Sequence, residues 1–251
     1  MTHASEIPLS LRFRRYECKY LISEDQAARI RAYAKPYTAL DPFAARSPLG
    51  RYEISSLYLD SASMRLYRET LGGVKERFKL RIRAYSDRYE DPVFFEVKSR
   101  SDRVILKDRS RVRRAEIKPA INGWIGNRDR MDHDELQSLE AFQLRVRSID
   151  AHPQILVRYD REAYVGTFDS SVRLTFDRNL RTQTPNSRDL FFSGHGWQNV
   201  EGGKVLLELK FNNQCPPWIA AIVRQEALRR ISFSKYALSV SVAAKLGAIQ
   251  V

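Results

Sequence analysis

The chain has 251 residues, and its 43 Lys and Arg against 30 Asp and Glu leave a net charge of +13. A hydrophobic fraction of 43% is enough for a sizeable core, which excludes disorder as a global description. Two cysteines cannot form a disulfide framework, and no apolar run reaches the roughly 20 residues of a membrane span. We therefore predict one domain over residues 1–251, without a signal peptide or transmembrane segment, in the cytoplasm.

The predicted elements are mostly strands. Period-2 alternation predicts eight of them, over 12–22, 53–60, 78–85, 93–98, 104–113, 154–165, 172–177 and 205–211. A capping box at 23–26 predicts a helix to about Ala34, and further helices are predicted over 63–71, 132–146, 217–228 and 234–246. Residues 181–203 are predicted as a loop. Because strands follow one another with few helices between them, an antiparallel α+β fold is expected.

The positive charge indicates an anionic partner, which could be nucleic acid, nucleotide, polyphosphate or a membrane surface. Arg accounts for 32 of the 43 basic residues, and its planar fork suits phosphate, although a bias in codon usage would produce the same excess. Residues 77–114 hold 13 basic and 6 acidic residues. An ordinary half-solvated sheet would expose such charges to water. A surface of one sign instead favours a bound anion, because like charges opposite each other destabilise a sheet.

Alternation also determines which charges share a face. Each of three strands carries an acidic residue and a Lys two positions apart, namely Glu17 and Lys19, Glu96 and Lys98, and Glu208 and Lys210. The chain has no Gly-rich phosphate loop ending in Lys and Ser or Thr. Asp132 is expected to cap a helix rather than to bind metal.

Nine short segments then occur in a fixed order: Arg15–Tyr20, Ser56–Asp60, Lys79–Tyr85, Phe95–Lys98, Lys107–Arg109, Tyr159–Arg161, Arg173–Asp177, Leu207–Lys210 and Phe233–Tyr236. Together they resemble the polyphosphate polymerase domain of the vacuolar transporter chaperone (VTC) family, within the triphosphate tunnel superfamily that also includes the CYTH enzymes. The resemblance extends from about Phe13 to Leu246. Each segment alone is weak, and their common order makes the match specific.

The resemblance implies a fold and a set of site residues. The fold would be an antiparallel closed β-barrel of about eight strands with flanking helices, enclosing a polar tunnel. The implied phosphate-binding residues are Lys19, Arg81, Arg83, Lys98, Lys107, Arg109, Arg161, Arg173, Lys210 and Lys235. The implied catalytic residues are Arg81, Arg83, Lys98, Arg161 and Arg173. Glu208 would hold the divalent metal, Mn²⁺ or Mg²⁺.

The activity implied is ATP-dependent extension of inorganic polyphosphate, with ATP and polyphosphate or pyrophosphate as partners. Nucleic acid is not expected, and a separate membrane partner is compatible with the resemblance. Two alternatives stay open: a tripolyphosphate or nucleoside triphosphate hydrolase of the CYTH type, and a non-catalytic polyphosphate-binding module. The CYTH pattern is E-x-E-x-K, and here Arg15 stands at its first Glu position. This departure favours polymerisation or binding over hydrolysis.

Overall fold

The alternating segments form strands in a computed structural model of the chain, which describes residues 15–101, 104–124, 126, 131–185, 196–200 and 202–251. Ten strands lie in these residues: β1 (Arg15–Ile22), β2 (Thr38–Leu40), β3 (Tyr52–Asp60), β4 (Arg77–Ala84), β5 (Val93–Ser101), β6 (Val104–Val112), β7 (His152–Gly166), β8 (Arg173–Gln183), β9 (Gln198–Asn199) and β10 (Val205–Asn212). The helices there are α1 (Glu24–Ala34), α2 (Pro42–Arg46), α3 (Arg65–Leu71), α4 (Ile117–Ile121), α5 (His133–Ser148), α6 (Pro217–Gln225) and α7 (Lys235–Lys245).

All eight predicted strands and all five predicted helices are present. The start of the first strand, residues 12–14, lies outside the described residues, as do residues 186–195 and 201 of the predicted loop 181–203. In the described part of that loop the prediction is wrong where β8 continues to Gln183 and where β9 forms. The elements missed by prediction are short: β2 has three residues, β9 has two, and α2 and α4 have five each. Segments of this length cannot display a period, so the sequence pattern carries no signal for them.

The order of the strands corrects the predicted barrel. They follow one hydrogen-bonded order, β1-β10-β8-β7-β3-β4-β5-β6, with β2 on β7 and β9 on β8. Among the described residues this order has two ends, so the sheet is not closed, and it has ten strands rather than about eight. Alternation determines the face of each side chain, whereas closure depends on which strands pair. The antiparallel α+β architecture is confirmed, and its closure as a barrel is wrong.

The chain folds as two compact units, and β3, β7 and β8 each contribute residues to both. The first unit comprises described residues up to Tyr52, Arg161–Arg178 and Gly203–Phe233. The second comprises Glu53–Asp160, Asn179–Gly202 and Ser234–Val251. The prediction of a single domain over residues 1–251 stays a prediction.

In the first unit, one face of the sheet is apolar and carries the core. Leu174 and Phe176 of β8 and Leu209 of β10 are buried in a cluster that includes Ile30 of α1 and Ile222 of α6. The predicted capping box of α1 is confirmed, since Ser23 Oγ accepts from the Gln26 amide and Gln26 Oε1 from the Ser23 amide. Burying this face leaves the charged residues of the same strands on the opposite face.

In the second unit, α5 covers the apolar face of β5. Phe142 of the helix meets Phe95 of the strand edge-to-face, with ring centroids 4.8 Å apart. The helix begins at Asp132, whose side chain accepts from the Glu135 amide, as predicted. The charged residues that alternate with Phe95 are therefore on the face of β5 that α5 does not cover.

Asp60 connects two helices of the second unit. Its buried carboxylate accepts hydrogen bonds from the amides of Leu66 and Tyr67 at the start of α3 and from the Tyr236 hydroxyl on α7. Asp60 belongs to one of the segments that carry the family resemblance. Its contacts assign it to the scaffold, because they satisfy helix amide groups that would otherwise be unpaired.

Candidate functional site

Cationic side chains line up across the polar face of the second unit. Three rows cross β4, β5 and β6 in register: Lys79–Lys98–Lys107, Arg81–Glu96–Arg109 and Arg83–Phe94–Arg111. Tyr58 and Ser56 of β3 extend the second and third rows. Directly opposed like charges destabilise a sheet, so a surface of this kind suits an anion that neutralises it. These rows bring together the predicted site residues Arg81, Arg83, Lys98, Lys107 and Arg109.

Glu96 lies at the centre of these rows with none of its side chain exposed. Its carboxylate is 2.6 Å from Arg81, 2.7 Å from Lys107 and 3.5 Å from Arg109. Burial raises the pKa of Glu96, but Arg81, Arg83 and Lys107 outweigh that effect and hold the pKa below its usual value. Glu96 stands in a family segment but was not predicted as a site residue. An acidic side chain amid a cationic face was the available signal.

The charges and burial around Glu96 also shift the pKa values of neighbouring groups. Burial lowers the pKa of Lys107, and the charges of Arg81 and Arg83 lower it further, against the opposing effect of Glu96. The Tyr58 hydroxyl accepts from Arg81 Nη1 at 3.4 Å. Although burial raises the pKa of Tyr58, Arg81 and Arg83 outweigh it, and the pKa is lowered. The electrostatic potential around Glu96 is therefore positive, because its one carboxylate does not neutralise all the cations beside it.

Arg83 is held by hydroxyl groups among the described residues. Its Nε donates to Ser56 Oγ at 3.3 Å and its Nη2 to the Tyr159 hydroxyl at 3.4 Å. The Lys235 ammonium lies 4.7 Å from the centre of the Tyr159 ring. These hydroxyl groups orient the buried Arg83 guanidinium and carry no charge that would neutralise it.

The polar face of the first unit carries a second charged group. Two rows cross β8, β10 and β1 in register: Arg173–Lys210–Glu17 and Thr175–Glu208–Lys19. Glu208 is 5% exposed, and its carboxylate is 3.0 Å from Lys210, 3.8 Å from Lys19 and 3.9 Å from Arg161. The predicted metal ligand is thus surrounded by three of the predicted phosphate-binding residues.

Arg161 is positioned by an acidic residue that sequence reasoning missed. Its Nε and Nη2 donate to the two carboxylate oxygens of Asp177, both at 2.7 Å, and Asp177 is 4% exposed. Such a bidentate pair fixes the plane of the guanidinium. Lys19 is fixed in a similar way, because its ammonium donates to the Phe233 carbonyl at 2.9 Å. Arg173 is exposed, opposite Lys210 in the register.

A comparison with protein families identifies the family of the chain. The family model of the VTC domain matches residues 14–244, nearly the whole chain. The chain belongs to the VTC domain family. The family resemblance of the nine ordered segments is therefore confirmed. The comparison with curated proteins finds no match for this VTC domain.

Two solved structures are similar to the VTC domain over most of their length. A Bacillus halodurans protein assigned as an adenylate cyclase has 12% identity and a TM-score of 0.47, with 88% of this chain and 95% of that chain covered. A Hippeastrum protein assigned as an adenylyl cyclase, described as having a dominant triphosphatase activity, has 15% identity and a TM-score of 0.49, with 90% and 95% covered.

A metal at this cluster would be held by the Glu208 carboxylate, because its neighbours Lys210, Lys19 and Arg161 are cations. No group of three or more His, Cys, Asp or Glu that could hold a metal occurs among the described residues. Mg²⁺, however, often binds through one or two carboxylates, with substrate phosphates and water as its other ligands. Glu208 of the VTC domain suits such a site and not a cage made of protein alone. Within the described part of the chain, no helix is long and apolar enough to span a membrane.

Proposed function

We propose that this VTC domain is an ATP-dependent polyphosphate polymerase, which transfers the γ-phosphate of ATP to a growing inorganic polyphosphate chain. An oxygen of the acceptor's terminal phosphate forms the new bond to the γ-phosphorus. The bond from the γ-phosphorus to the oxygen that bridges it to the β-phosphate breaks, and ADP leaves. One observation carries the proposal: the three rows of the second unit gather cations around a single buried carboxylate, Glu96. A chain of phosphates supplies the negative charge that these rows lack.

The positions of these cations suit phosphoryl transfer. In such reactions the protein mainly places the reactants and stabilises charge on the transferring group. Arg81 and Lys107 are held by Glu96, and Arg83 is held by Ser56 and Tyr159. Cations that are already oriented need little rearrangement when the phosphate binds, which is the condition for strong electrostatic stabilisation. The proposal keeps as its catalytic residues the set that the family resemblance implies: Arg81, Arg83, Lys98, Arg161 and Arg173.

The proposal includes Mn²⁺ or Mg²⁺ at Glu208. When bound, the metal would offset negative charge on the phosphate oxygens. Lys210, Lys19 and Arg161 surround the Glu208 carboxylate and orient it. Phosphates that contact these three cations would therefore lie beside the Glu208 carboxylate. A cytoplasmic location and a separate membrane partner stay predictions.

The decisive experiment follows the products of one reaction. The protein is incubated with ATP, Mn²⁺ and a pyrophosphate primer, and the products are separated on a gel stained for polyphosphate. A ladder of lengthening chains with release of ADP is the expected result. Free phosphate without a ladder would identify a hydrolase instead, and the absence of both would leave a binding module. A variant with Arg83 replaced by Ala serves as the control for a contaminating activity.

Arg83→Ala also yields a quantitative prediction. Because Arg83 has hydroxyl partners, its removal leaves no buried carboxylate unpaired among the partners described above. The expected loss of tripolyphosphate binding is about 1.5–3 kcal/mol, the range for a hydrogen bond to a charged group. Titration calorimetry at constant ionic strength measures it. Arg88→Ala is the matched control, since Arg88 is 77% exposed and pairs with Glu90. Equal affinities of wild type and Arg83→Ala would remove Arg83 from the phosphate site.

A further inference from the structure

The polar face of the second unit is chemically different at its two ends. One end is the row Lys79–Lys98–Lys107, which has only ammonium groups. Toward the other end lie two aromatic residues. Phe94 is two positions from Glu96 on β5, and Tyr85 is two positions from Arg83, just beyond β4, so each shares the face of that charged residue. Phe94 and Lys98 are four residues apart on one strand, or about 13 Å. The face therefore changes from ammonium groups alone to guanidinium groups beside aromatic rings, over a length on the scale of an extended nucleoside triphosphate.

Arg109 combines with these two rings into one platform. Its guanidinium carbon lies 3.7 Å from the centre of the Phe94 ring and 5.4 Å from that of Tyr85. The two rings meet edge-to-face, with centroids 5.5 Å apart. Arg109 Nη2 donates to the Tyr85 hydroxyl at 3.3 Å, and Nε lies 3.5 Å from Glu96. The guanidinium is thus fixed against the Phe94 ring, while the side chain remains 36% exposed.

We propose that Arg109, stacked on Phe94 and held by Tyr85, is a subsite for the purine base of the nucleotide substrate. The inference rests on the proposed function and adds the direction of the nucleotide, with the base at the platform and the phosphates toward Lys98 and Lys107. It also changes the role expected of Arg109 from binding phosphate to binding the base.

The geometry favours a base over a phosphate at this position. A planar guanidinium offers its face to another planar group, and bases stack on Arg planes as they do on aromatic rings. The in-plane N–H groups that would form the fork toward a phosphate are partly engaged, Nη2 by Tyr85 and Nε beside Glu96. At the lysine end no comparable planar surface occurs in the three rows. The platform therefore distinguishes a nucleotide from a bare phosphate chain.

The test compares two ligands that share phosphates and differ in the base. Titration calorimetry measures the affinities of tripolyphosphate and of the β,γ-imido analogue of ATP, which is not turned over. Arg109→Lys keeps the charge and removes the plane, and Phe94→Leu keeps an apolar side chain and removes the ring. Each is expected to weaken binding of the ATP analogue about tenfold or more, the scale of one stacked base. Tripolyphosphate affinity should stay within about twofold.

Arg113→Lys is the matched control, because Arg113 follows β6, pairs with Glu116 and lies outside the platform. It should change neither affinity. Melting curves establish whether each variant folds. If Arg109→Lys does not fold, Phe94→Leu still tests the subsite. Equal weakening of both ligands, or no weakening of the ATP analogue, would overturn the base subsite and leave the phosphate site standing. Failure of the wild type to bind either ligand would instead overturn the proposed function, and the subsite with it.

Discussion

Replacing Glu96 by Gln is expected to lower the free energy of unfolding by about 3–5 kcal/mol, the cost of removing one partner from a buried ion pair. Glu96 is fully buried, and its carboxylate lies within 3.5 Å of Arg81, Lys107 and Arg109. A neutral amide leaves these cations in a poorly solvated position without their counter-charge. Urea unfolding of both proteins at pH 7 measures the difference. Tripolyphosphate should stabilise E96Q more than the wild type, because it restores negative charge to the same place.

The effect of Glu96 should depend on pH in a definite direction. The folded protein depresses the pKa of Glu96 below its ordinary value of 4.5. A depressed pKa means that the charged carboxylate contributes stability above the unfolded pKa and loses it as pH falls toward the folded pKa. The difference between wild type and E96Q should therefore be constant near neutral pH and shrink below about pH 4.5. An unfolding series from pH 7 to pH 3 follows it.

Glu90→Gln provides the control for this series. Glu90 is 75% exposed and 4.0 Å from Arg88, so its replacement should change stability by no more than about 0.5 kcal/mol. If E96Q is no less stable than E90Q, Glu96 does not hold the cations together. A difference between wild type and E96Q that grows as the pH falls would contradict the sign derived from its pKa.

Replacing Glu208 by Gln should abolish most of the polymerase activity and leave the fold intact. The loss in turnover is expected to be about 100-fold or more, because a metal contributes several kcal/mol of charge stabilisation. Two of the three cationic neighbours of Glu208 keep another partner, since Arg161 pairs with Asp177 and Lys19 lies 3.2 Å from Glu17. Initial rates over a range of Mn²⁺ concentrations, with melting curves of the same samples, separate the two effects.

Glu17→Gln is the informative comparison for Glu208. Glu17 also contacts Lys19 and lies on the same face, but it was not assigned to the metal. If Glu208 binds the metal, E208Q should lose activity and require more Mn²⁺, whereas E17Q should keep the wild-type dependence on Mn²⁺. Equal losses in both variants would point to the position of Lys19 as the cause and would remove Glu208 from the metal site.

The sequence determined the strands and their faces, because alternation is a local property of the chain. The charged residues Lys79, Arg81 and Arg83 could be assigned to one face of β4 from their spacing alone, and the strand register confirms the assignment. The order of nine short segments was enough to recognise the VTC domain family. Short elements such as β2 and α4 escaped because three to five residues display no period.

Only the tertiary structure decided what the acidic residues do. Glu96, Asp177 and Asp60 all stand in family segments, yet each has a different role: Glu96 holds three cations, Asp177 orients Arg161, and Asp60 caps α3. Their roles depend on which side chains neighbouring strands and helices bring near, over separations that no local pattern records. Strand pairing decided the open sheet in the same way. Alternation assigns a side chain to a face, and the partners that it meets there are a property of the folded chain.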